Sequence, residues 1–253
     1  MSNGFGIDTA FNTVVSAENA ALLDFAIPRI GTFGYGSTGT TAYYNKPLSV
    51  DGGFLSTVRN VQGAGKAAGC YIFSYAWNVT AAEAEANRVC DYLDANNVTL
   101  DVAVFFDWER TGAGTYGSYE MVTAAGVNVT AQLVRDMTLA FMAVCERRGR
   151  RSGWYQSLGD SQAWWTAEII AQQRSRNRLF WLAQWGSSYG LDCDIWQYRG
   201  DTVWNGISCD LNEAVSDRVL DGGSLRPNYR TPSLFWLFYK SWNPLRRFDR
   251  WKF

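Results

Sequence analysis

The segment Val102–Glu109, with the sequence VAVFFDWE, constrains the fold more than any other part of the chain. Five apolar residues lead directly to two acidic residues, Asp107 and Glu109, that are separated by one position. Such an apolar run is typical of a strand that is buried on both faces, as in a parallel sheet. Because alternate side chains of a strand share a face, the pattern predicts that both carboxyl groups project the same way, with Cα atoms about 6.5–7 Å apart.

Two buried carboxyl groups at one strand end are energetically costly, which indicates a functional reason for the pair. The chain also contains no histidine. A general acid that works near neutral pH must therefore be a carboxyl group with a shifted pKa, or a tyrosine, lysine or cysteine. We interpret Asp107 and Glu109 as candidates for acid–base catalysis.

The composition is that of one globular domain with a full apolar core. Of the 253 residues, 47% are hydrophobic and 19% are charged, which excludes a disordered chain. Aromatic residues reach 15%, with 12 Trp, which suits a surface that stacks on sugar rings. The net charge of −1 gives no indication of nucleic-acid binding for the chain as a whole.

The cysteines do not indicate a disulfide framework, because their number is odd and they are scattered. Free buried thiols are the favoured interpretation, and a bond between Cys193 and Cys209 is the alternative. The absence of histidine and of a CxxC motif argues against a zinc site, so we predict no metal and no cofactor. The five residues are Cys70, Cys90, Cys145, Cys193 and Cys209.

The first residues lack the charged and apolar regions of a signal peptide. No apolar run approaches the ~20 residues that a membrane-spanning helix needs. We therefore expect synthesis in the cytoplasm without a signal peptide and release to the site of action by another route.

Strands and helices alternate along the first two thirds of the chain, which predicts a parallel α/β barrel. A capping box at Thr80–Glu83 predicts a helix to about Ala95, and Thr130–Arg148 is the clearest helix, followed by Gly149. A further helix is predicted over 163–173. Strands are expected at 5–8, 25–29, 69–74, 102–109, 152–155, 179–184, 194–198 and 206–211, and a long loop at 31–53.

The later strands follow each other with short gaps, so some barrel helices are expected to be reduced or missing. The predicted fold class is α/β, a TIM-like (β/α) barrel. Four acidic residues stand at the ends of predicted strands: Asp8, Asp107, Glu109 and Asp210. In a parallel barrel the strand ends gather at one mouth, so these carboxyl groups could converge on one pocket. The alternative is that each acid caps a helix or lies in a solvated loop.

Seven short motifs, in this order, resemble those of family 25 glycoside hydrolases, the cellosyl-type muramidases of bacteria and phage. They cover about residues 4–215. Each is weak alone, but the ordered set is specific. The motifs are Gly6–Asp8, Gly69–Phe73, Phe106–Glu109, Gly153–Tyr155, Trp181–Ala183, Trp196–Tyr198 and Asp210–Asn212.

The resemblance implies a flattened barrel that cleaves the β-1,4 bond between N-acetylmuramic acid and N-acetylglucosamine in peptidoglycan. It implies that Glu109 is the general acid, with a raised pKa. Asp107 would stabilise positive charge directly or orient the acetamido group of the substrate. Asp8 and Asp210 would complete the acidic floor. Retention and inversion both remain open, with substrate-assisted retention favoured by the resemblance.

The resemblance also suggests aromatic side chains that line a saccharide groove, of which Tyr155 and Trp185 are preferred because they stand at or after strand ends. Each is also compatible with a place in the core. One departure concerns a histidine that the family usually carries after the tyrosine of the third strand, where this chain has Ile72. The aromatic candidates are Tyr71, Trp108, Tyr155, Trp181, Trp185 and Tyr198.

The end of the chain differs from the rest in composition, so we divide the chain into a catalytic barrel at 1–222 and a basic, aromatic tail at 223–253. Residues 226–253 contain seven Arg or Lys and one acidic residue, a net charge of +6. Three interpretations remain open: the tail binds anionic wall polymers or a membrane surface, it binds nucleic acid, or it packs against the acidic barrel. The rest of the chain does not support nucleic-acid binding.

Three functions remain to be separated. The leading hypothesis is a peptidoglycan muramidase, either a phage-type endolysin or a wall-remodelling lysozyme. The second is a non-catalytic wall-binding or virion structural module on the same fold, which would not need a buried acid pair. The third is a glycosidase that acts on another N-acetylated polymer such as chitin.

Overall fold

The computed structural model describes residues 4–33, 47–112 and 117–221. Most of the predicted loop at 31–53 and the whole tail at 223–253 lie outside these ranges. Within them the chain forms ten strands: β1 Gly4–Thr9, β2 Phe25–Thr32, β3 Ser49–Val50, β4 Ala67–Ala68, β5 Cys70–Phe73, β6 Val104–Asp107, β7 Ser152–Ser157, β8 Leu179–Ala183, β9 Ile195–Trp204 and β10 Ile207–Ala214.

Eight of these strands close into a barrel, in the order β1, β2, β5, β6, β7, β8, β9 and β10, with β10 paired back to β1. Neighbours from β1 to β9 are parallel, and β10 is antiparallel to both β9 and β1. The predicted α/β barrel is therefore confirmed, with one reversed strand. β9 and β10 form a hairpin whose turn residues, Asn205 and Gly206, have φ values of 46° and 79°. These values fit the type I′ turn that joins tight hairpins.

Helices cover the outside of the barrel, and some are reduced, as the sequence indicated. No helix stands between β8 and β9, and only a four-residue helix separates β1 from β2. Among the described residues, no helix combines the length and apolar character needed to cross a membrane. The helices are α1 Ala17–Ala20, α2 Phe54–Gly63, α3 Val79–Ala95, α4 Ser118–Ala124, α5 Ala131–Arg147, α6 Leu158–Trp164 and α7 Ala167–Ser175.

Helix starts follow local capping, and two predictions need correction. As predicted, α5 begins after Thr130. The Thr130 side chain accepts a hydrogen bond from the Leu133 N–H. The start of α3 was wrong, because Asn78 and not Thr80 caps it. The prediction of a single helix over 163–173 was also wrong. Trp165 is extended there, and Thr166 caps a new helix.

Two apolar layers hold the barrel. One fills its interior and includes Phe25, Phe105 and Trp181, and the other lies between the sheet and the helices and includes Phe106 and Trp108. β6 is buried on both faces, as its apolar run predicted. All five cysteines are buried and free, so Cys193 and Cys209 do not form a disulfide in this structure.

Candidate active site

The barrel brings the predicted acids together at one mouth. Asp8 lies near the end of β1 and pairs in register with Asp210 on β10. Asp107 is the last residue of β6, and Glu109 follows the strand by two positions, so the strand predicted to reach Glu109 was too long. Trp108, between them, turns into the outer layer, where its indole N–H donates to the Ala76 carbonyl at 2.9 Å. Trp108 is therefore a core residue and does not line the mouth.

Two buried amide side chains tie the acids to each other. The Gln197 amide nitrogen lies 3.0 Å from an Asp8 oxygen and 3.1 Å from an Asp210 oxygen. The Asn212 amide nitrogen donates to the same Asp8 oxygen at 2.7 Å. The Trp181 indole N–H donates to the Asn212 amide oxygen at 2.8 Å, which fixes the orientation of that amide. The network makes Asp8 a multiple acceptor inside the barrel.

The other end of the Gln197 amide is also held. Its oxygen accepts from the Tyr155 hydroxyl at 3.1 Å and from the Trp185 indole N–H at 3.3 Å. Sequence reasoning did not assign Gln197 or Asn212 to the site. The signal was present, because Asn212 follows Asp210 by two positions in a strand and so shares its face.

Burial and mutual repulsion keep these acids protonated to higher pH than usual. Burial raises the pKa of Asp8 to about 7, and the charge of Asp210 adds to this, while hydrogen bonds from Asn212 and Gln197 act in the opposite direction. The pKa of Asp210 is also raised by burial, against a hydrogen bond from the Asp201 backbone N–H at 2.7 Å. The four acids therefore do not all ionise at neutral pH.

Glu109 shows the property that a general acid requires. Burial raises its pKa to about 8, and the charges of Asp160, Asp210 and Asp8 add to the effect. A carboxyl group with this pKa is mostly protonated at pH 7 and can donate its proton.

Asp107 is buried, with 3% of its surface exposed. Burial raises its pKa well above the ordinary value, the charge of Glu109 raises it further, and the guanidinium of Arg29 lowers it. Its Oδ1 atom has no hydrogen-bond partner among the described residues. A buried acceptor without a partner is rare, and this one is available to a donor on a ligand.

The sequence comparison decides the family. The profile described as Glycosyl hydrolases family 25 matches residues 44–207, more than half of the chain. The chain belongs to family 25 of the glycosyl hydrolases. A comparison with curated protein sequences finds no match.

Solved structures share the fold of this family 25 chain at 16% sequence identity. The modular autolysin LytC from Streptococcus pneumoniae matches with a TM-score of 0.61 over 83% of this chain and 46% of its own. The spore cortex lytic enzyme SleM from Clostridium perfringens matches with a TM-score of 0.62 over 84% of this chain and 67% of its own. The catalytic domain of the endolysin ply40 from bacteriophage P40 of Listeria monocytogenes matches with a TM-score of 0.60 over 88% of this chain and 98% of its own. The chain thus spans about half the length of the autolysin.

The backbone that carries Glu109 is anchored on one side by α4. The Glu109 N–H donates to the Ser118 hydroxyl at 3.3 Å, and that hydroxyl donates to the Ser74 carbonyl at 2.7 Å. The Glu109 carbonyl accepts from the Tyr119 N–H at 3.1 Å. These contacts join the ends of β5 and β6 to the start of α4 and fix the direction in which Glu109 leaves the strand.

On the other side, Asp160 of α6 holds the next residue. Its buried carboxylate accepts from the backbone N–H of Arg110 at 3.0 Å and from the Arg110 Nε at 2.5 Å. The Arg110 guanidinium lies 4.8 Å from the centre of the Trp164 ring. Asp160 therefore positions the Glu109 backbone and also places a negative charge near the Glu109 carboxyl.

We expect Asp160→Asn to move the alkaline limb of the pH–rate profile to lower pH, by on the order of one unit. The reason is that the substitution removes the charge that raises the Glu109 pKa, while Asn keeps an oxygen for the Arg110 N–H. The measurement is kcat as a function of pH on a soluble glycan substrate. Glu168→Gln, at an exposed carboxylate of α7, is the matched control. An alkaline limb that stays in place would show that Asp160 does not act on Glu109.

The aromatic candidates divide between the mouth and the outer layer. Trp181 is buried inside the barrel and packs edge-on against Tyr71 and Tyr155, with ring centres 5.7 and 4.6 Å away. Trp185 is 63% exposed beside Gln197. Tyr198 faces the other way and packs in the outer layer. The structure thus brings four of the six groove candidates to the acids and leaves Trp108 and Tyr198 in the outer layer.

Two further positions bear on the site. Ile72 is fully buried in the outer layer, so its side chain does not face the acids. Arg29, which sequence reasoning did not assign, lies on β2 in register with Tyr71 and is held by the Asp51 carboxylate at 2.8 Å. Among the described residues, no cluster of three or more Cys, Asp or Glu side chains could hold a metal ion.

Proposed function

We propose that this family 25 chain is a peptidoglycan hydrolase, an N-acetylmuramidase that cleaves the β-1,4 bond between N-acetylmuramic acid and N-acetylglucosamine. The observation that carries the proposal is the pairing of Glu109, whose pKa is raised to about 8, with the buried Asp107 at the mouth of the barrel. One group supplies a proton, and the other supplies an acceptor with no partner among the described residues.

The protonated Glu109 donates to the glycosidic oxygen as the bond from that oxygen to C1 breaks. The leaving sugar departs as an alcohol, and positive charge develops at C1 and the ring oxygen. Because the surrounding acids and burial keep Glu109 protonated at neutral pH, the proton is available without a histidine.

Asp107 acts on the other side of the bond. Its Oδ1 atom accepts the N–H of the substrate acetamido group and turns the acetamido oxygen toward C1, where that oxygen attacks as the leaving group departs. The positive charge of the oxazolinium ring formed in this way is stabilised by the Asp107 carboxylate, whose ionised form is favoured by the Arg29 guanidinium. Glu109, now ionised, then removes a proton from the water that opens this ring at C1, which gives overall retention.

Two neighbours support a peptidoglycan substrate over chitin. The pneumococcal autolysin LytC has been solved in complex with a synthetic peptidoglycan ligand, and the Cpl-1 endolysin in complex with a peptidoglycan analogue. A non-catalytic wall-binding or virion structural module is less well supported. Burying the carboxyl groups of Asp107 and Glu109 costs free energy, and a module that only binds does not need a buried acid pair. We further propose that the chain acts on the bacterial cell wall after release from the cytoplasm.

The experiment that tests the proposal compares two polymers. The full chain is added to suspensions of purified bacterial walls and of colloidal chitin, and turbidity and new reducing ends are followed. We expect the wall suspension to clear and the chitin suspension to stay unchanged. Cleavage of chitin alone would support the other glycosidase, and cleavage of neither polymer would support the non-catalytic module.

The tail at 223–253 carries a separate proposal, that it binds anionic wall polymers or a membrane surface. The support is its net charge of +6 over residues 226–253 and its nine aromatic residues. A truncation that ends near Arg226 is expected to lose binding to intact walls and to keep turnover on soluble fragments. Co-sedimentation with walls measures the first property, and reducing-end release measures the second. Unchanged co-sedimentation would contradict the proposal.

A further inference from the structure

Phe11 stands in an unusual conformation just after the end of β1. Its side chain is 69% exposed and its φ is 61°, in the left-handed region. A bulky residue in this region is an outlier, because its Cβ is crowded by the backbone. An exposed apolar ring on a strained backbone is doubly unfavourable, and such strain clusters at binding sites.

The surrounding structure enforces this conformation. The Phe11 N–H donates to the Asp51 carboxylate, and its carbonyl accepts from the Gly53 N–H at 3.1 Å. The two segments approach so closely that a Cβ at Gly53 would lie 2.0 Å from the carbonyl oxygen of Thr13. The segment that carries Phe11 is therefore clamped against the start of α2, and the ring is held in a defined place.

Arg29 connects the Phe11 ring to the acids. Its guanidinium lies 4.2 Å from the centre of the Phe11 ring and is fixed by Asp51. The same guanidinium lowers the pKa of Asp107 and of Tyr71, so it lies within electrostatic reach of the mouth. The ring therefore stands at the edge of the mouth, on the side formed by β1 and β2.

A second exposed ring stands on the other side. Trp185 lies so close to the backbone of β9 that a Cβ at Gly200 would be 2.2 Å from it, and its indole N–H is bound by Gln197. Strands β9, β10, β1 and β2 are consecutive around the barrel, with Asp210 and Asp8 on the middle two. Phe11 and Trp185 are the two aromatic side chains more than half exposed among the residues the structure describes.

We propose that Phe11 is a sugar-binding platform, which stacks on the apolar face of a pyranose ring of the glycan on the β1–β2 side of the acids. Trp185 takes a second sugar of the same chain on the opposite side. This inference rests on the proposed function and adds the residue that holds the polymer at one end. A rigid aromatic ring buries the C–H face of a sugar with little loss of side-chain freedom.

The test uses Phe11→Gly, because glycine adopts a φ of 61° without strain and so removes the ring while keeping the backbone. We expect KM for a soluble peptidoglycan oligosaccharide to rise about tenfold, the scale of one aromatic stacking contact, with kcat changed less than threefold. Phe11→Trp should keep KM within threefold of the wild type. Leu22→Ala, which removes another exposed apolar side chain, is the control.

Thermal unfolding of each variant checks that the fold is intact. Titration calorimetry with the same oligosaccharide in the Glu109→Gln background tests the Phe11 platform separately from the proposed hydrolase function. If the wild type binds the oligosaccharide without cleaving it, the proposed function fails while a weaker Kd in the Phe11→Gly variant still supports the platform. A KM and Kd unchanged by Phe11→Gly would overturn the platform, as would the absence of any binding by the parent chain.

Discussion

Glu109→Gln is expected to reduce wall lysis at least 100-fold with no change in the fold. The substituted amide has the shape of the carboxyl group but cannot donate a proton to the leaving oxygen, and a general acid contributes at least this factor. Initial rates of turbidity loss at pH 7 give the measurement, and circular dichroism confirms the fold. Glu168→Gln should retain wild-type activity, because Glu168 is an exposed carboxylate on α7. Lysis retained by Glu109→Gln would remove the role assigned to this residue.

The same variant should be more stable than the wild type at alkaline pH. The pKa of Glu109 is raised from 4.5 to about 8 on folding, so between these pH values the folded state binds more protons than the unfolded state. The wild type therefore loses stability as pH rises through this window, and the loss is complete above pH 8. Gln does not titrate, so we expect the free energy of unfolding at pH 9 to be higher by roughly 1–3 kcal/mol. Urea unfolding at pH 4 and pH 9 measures the difference.

Asp107→Asn is expected to lower kcat by about 10²–10³, the scale found when one preorganised electrostatic contact to a developing charge is removed. The neutral amide cannot stabilise the positive charge near C1, and its nitrogen would face the substrate N–H where Oδ1 of Asp107 now has no partner. KM should change much less than kcat, because the charge develops only in the transition state.

Steady-state kinetics on a soluble peptidoglycan oligosaccharide separate the two constants for this variant. Glu168→Gln again serves as the matched control, since it removes a carboxylate far from the acids in sequence and exposed to solvent. A kcat within tenfold of the wild type would show that Asp107 neither orients the acetamido group nor stabilises the charge.

The convergence of Asp8, Asp107 and Glu109 could be predicted from the sequence, because these residues stand near or just after the ends of parallel strands. An apolar run followed by Asp107 and Glu109 specifies a buried strand and its terminus, and the parallel order brings Asp8 to the same mouth. Asp210 was expected at the end of a parallel strand, but it lies inside the antiparallel strand β10 and reaches the mouth through its register with Asp8. The exact end of β6 was not predictable. Contacts of the Glu109 backbone with Ser118 and Tyr119 begin directly after Trp108, and these depend on the position of α4.

Other parts of the site depend on contacts between distant segments. The left-handed backbone of Phe11 requires Asp51 and Gly53, about forty residues later, to accept and donate its hydrogen bonds. No local pattern encodes that contact. The prediction that Tyr198 lines the groove failed for a related reason. Strand β9 directs Gln197 into the barrel and Tyr198 to the outer layer, and the sequence alone does not show which of the two alternating sets faces inward. The structure decides this, because Ile195 lies in the barrel interior.

The most direct test of the muramidase is the identity of the new reducing end. Purified walls are digested by the full chain, the products are reduced with borohydride, and the terminal amino sugars are separated and identified by mass spectrometry. We expect reduced N-acetylmuramic acid to accumulate with the wild type and to be absent with Glu109→Gln. Reduced N-acetylglucosamine as the main product, or no new reducing ends at all, would contradict it.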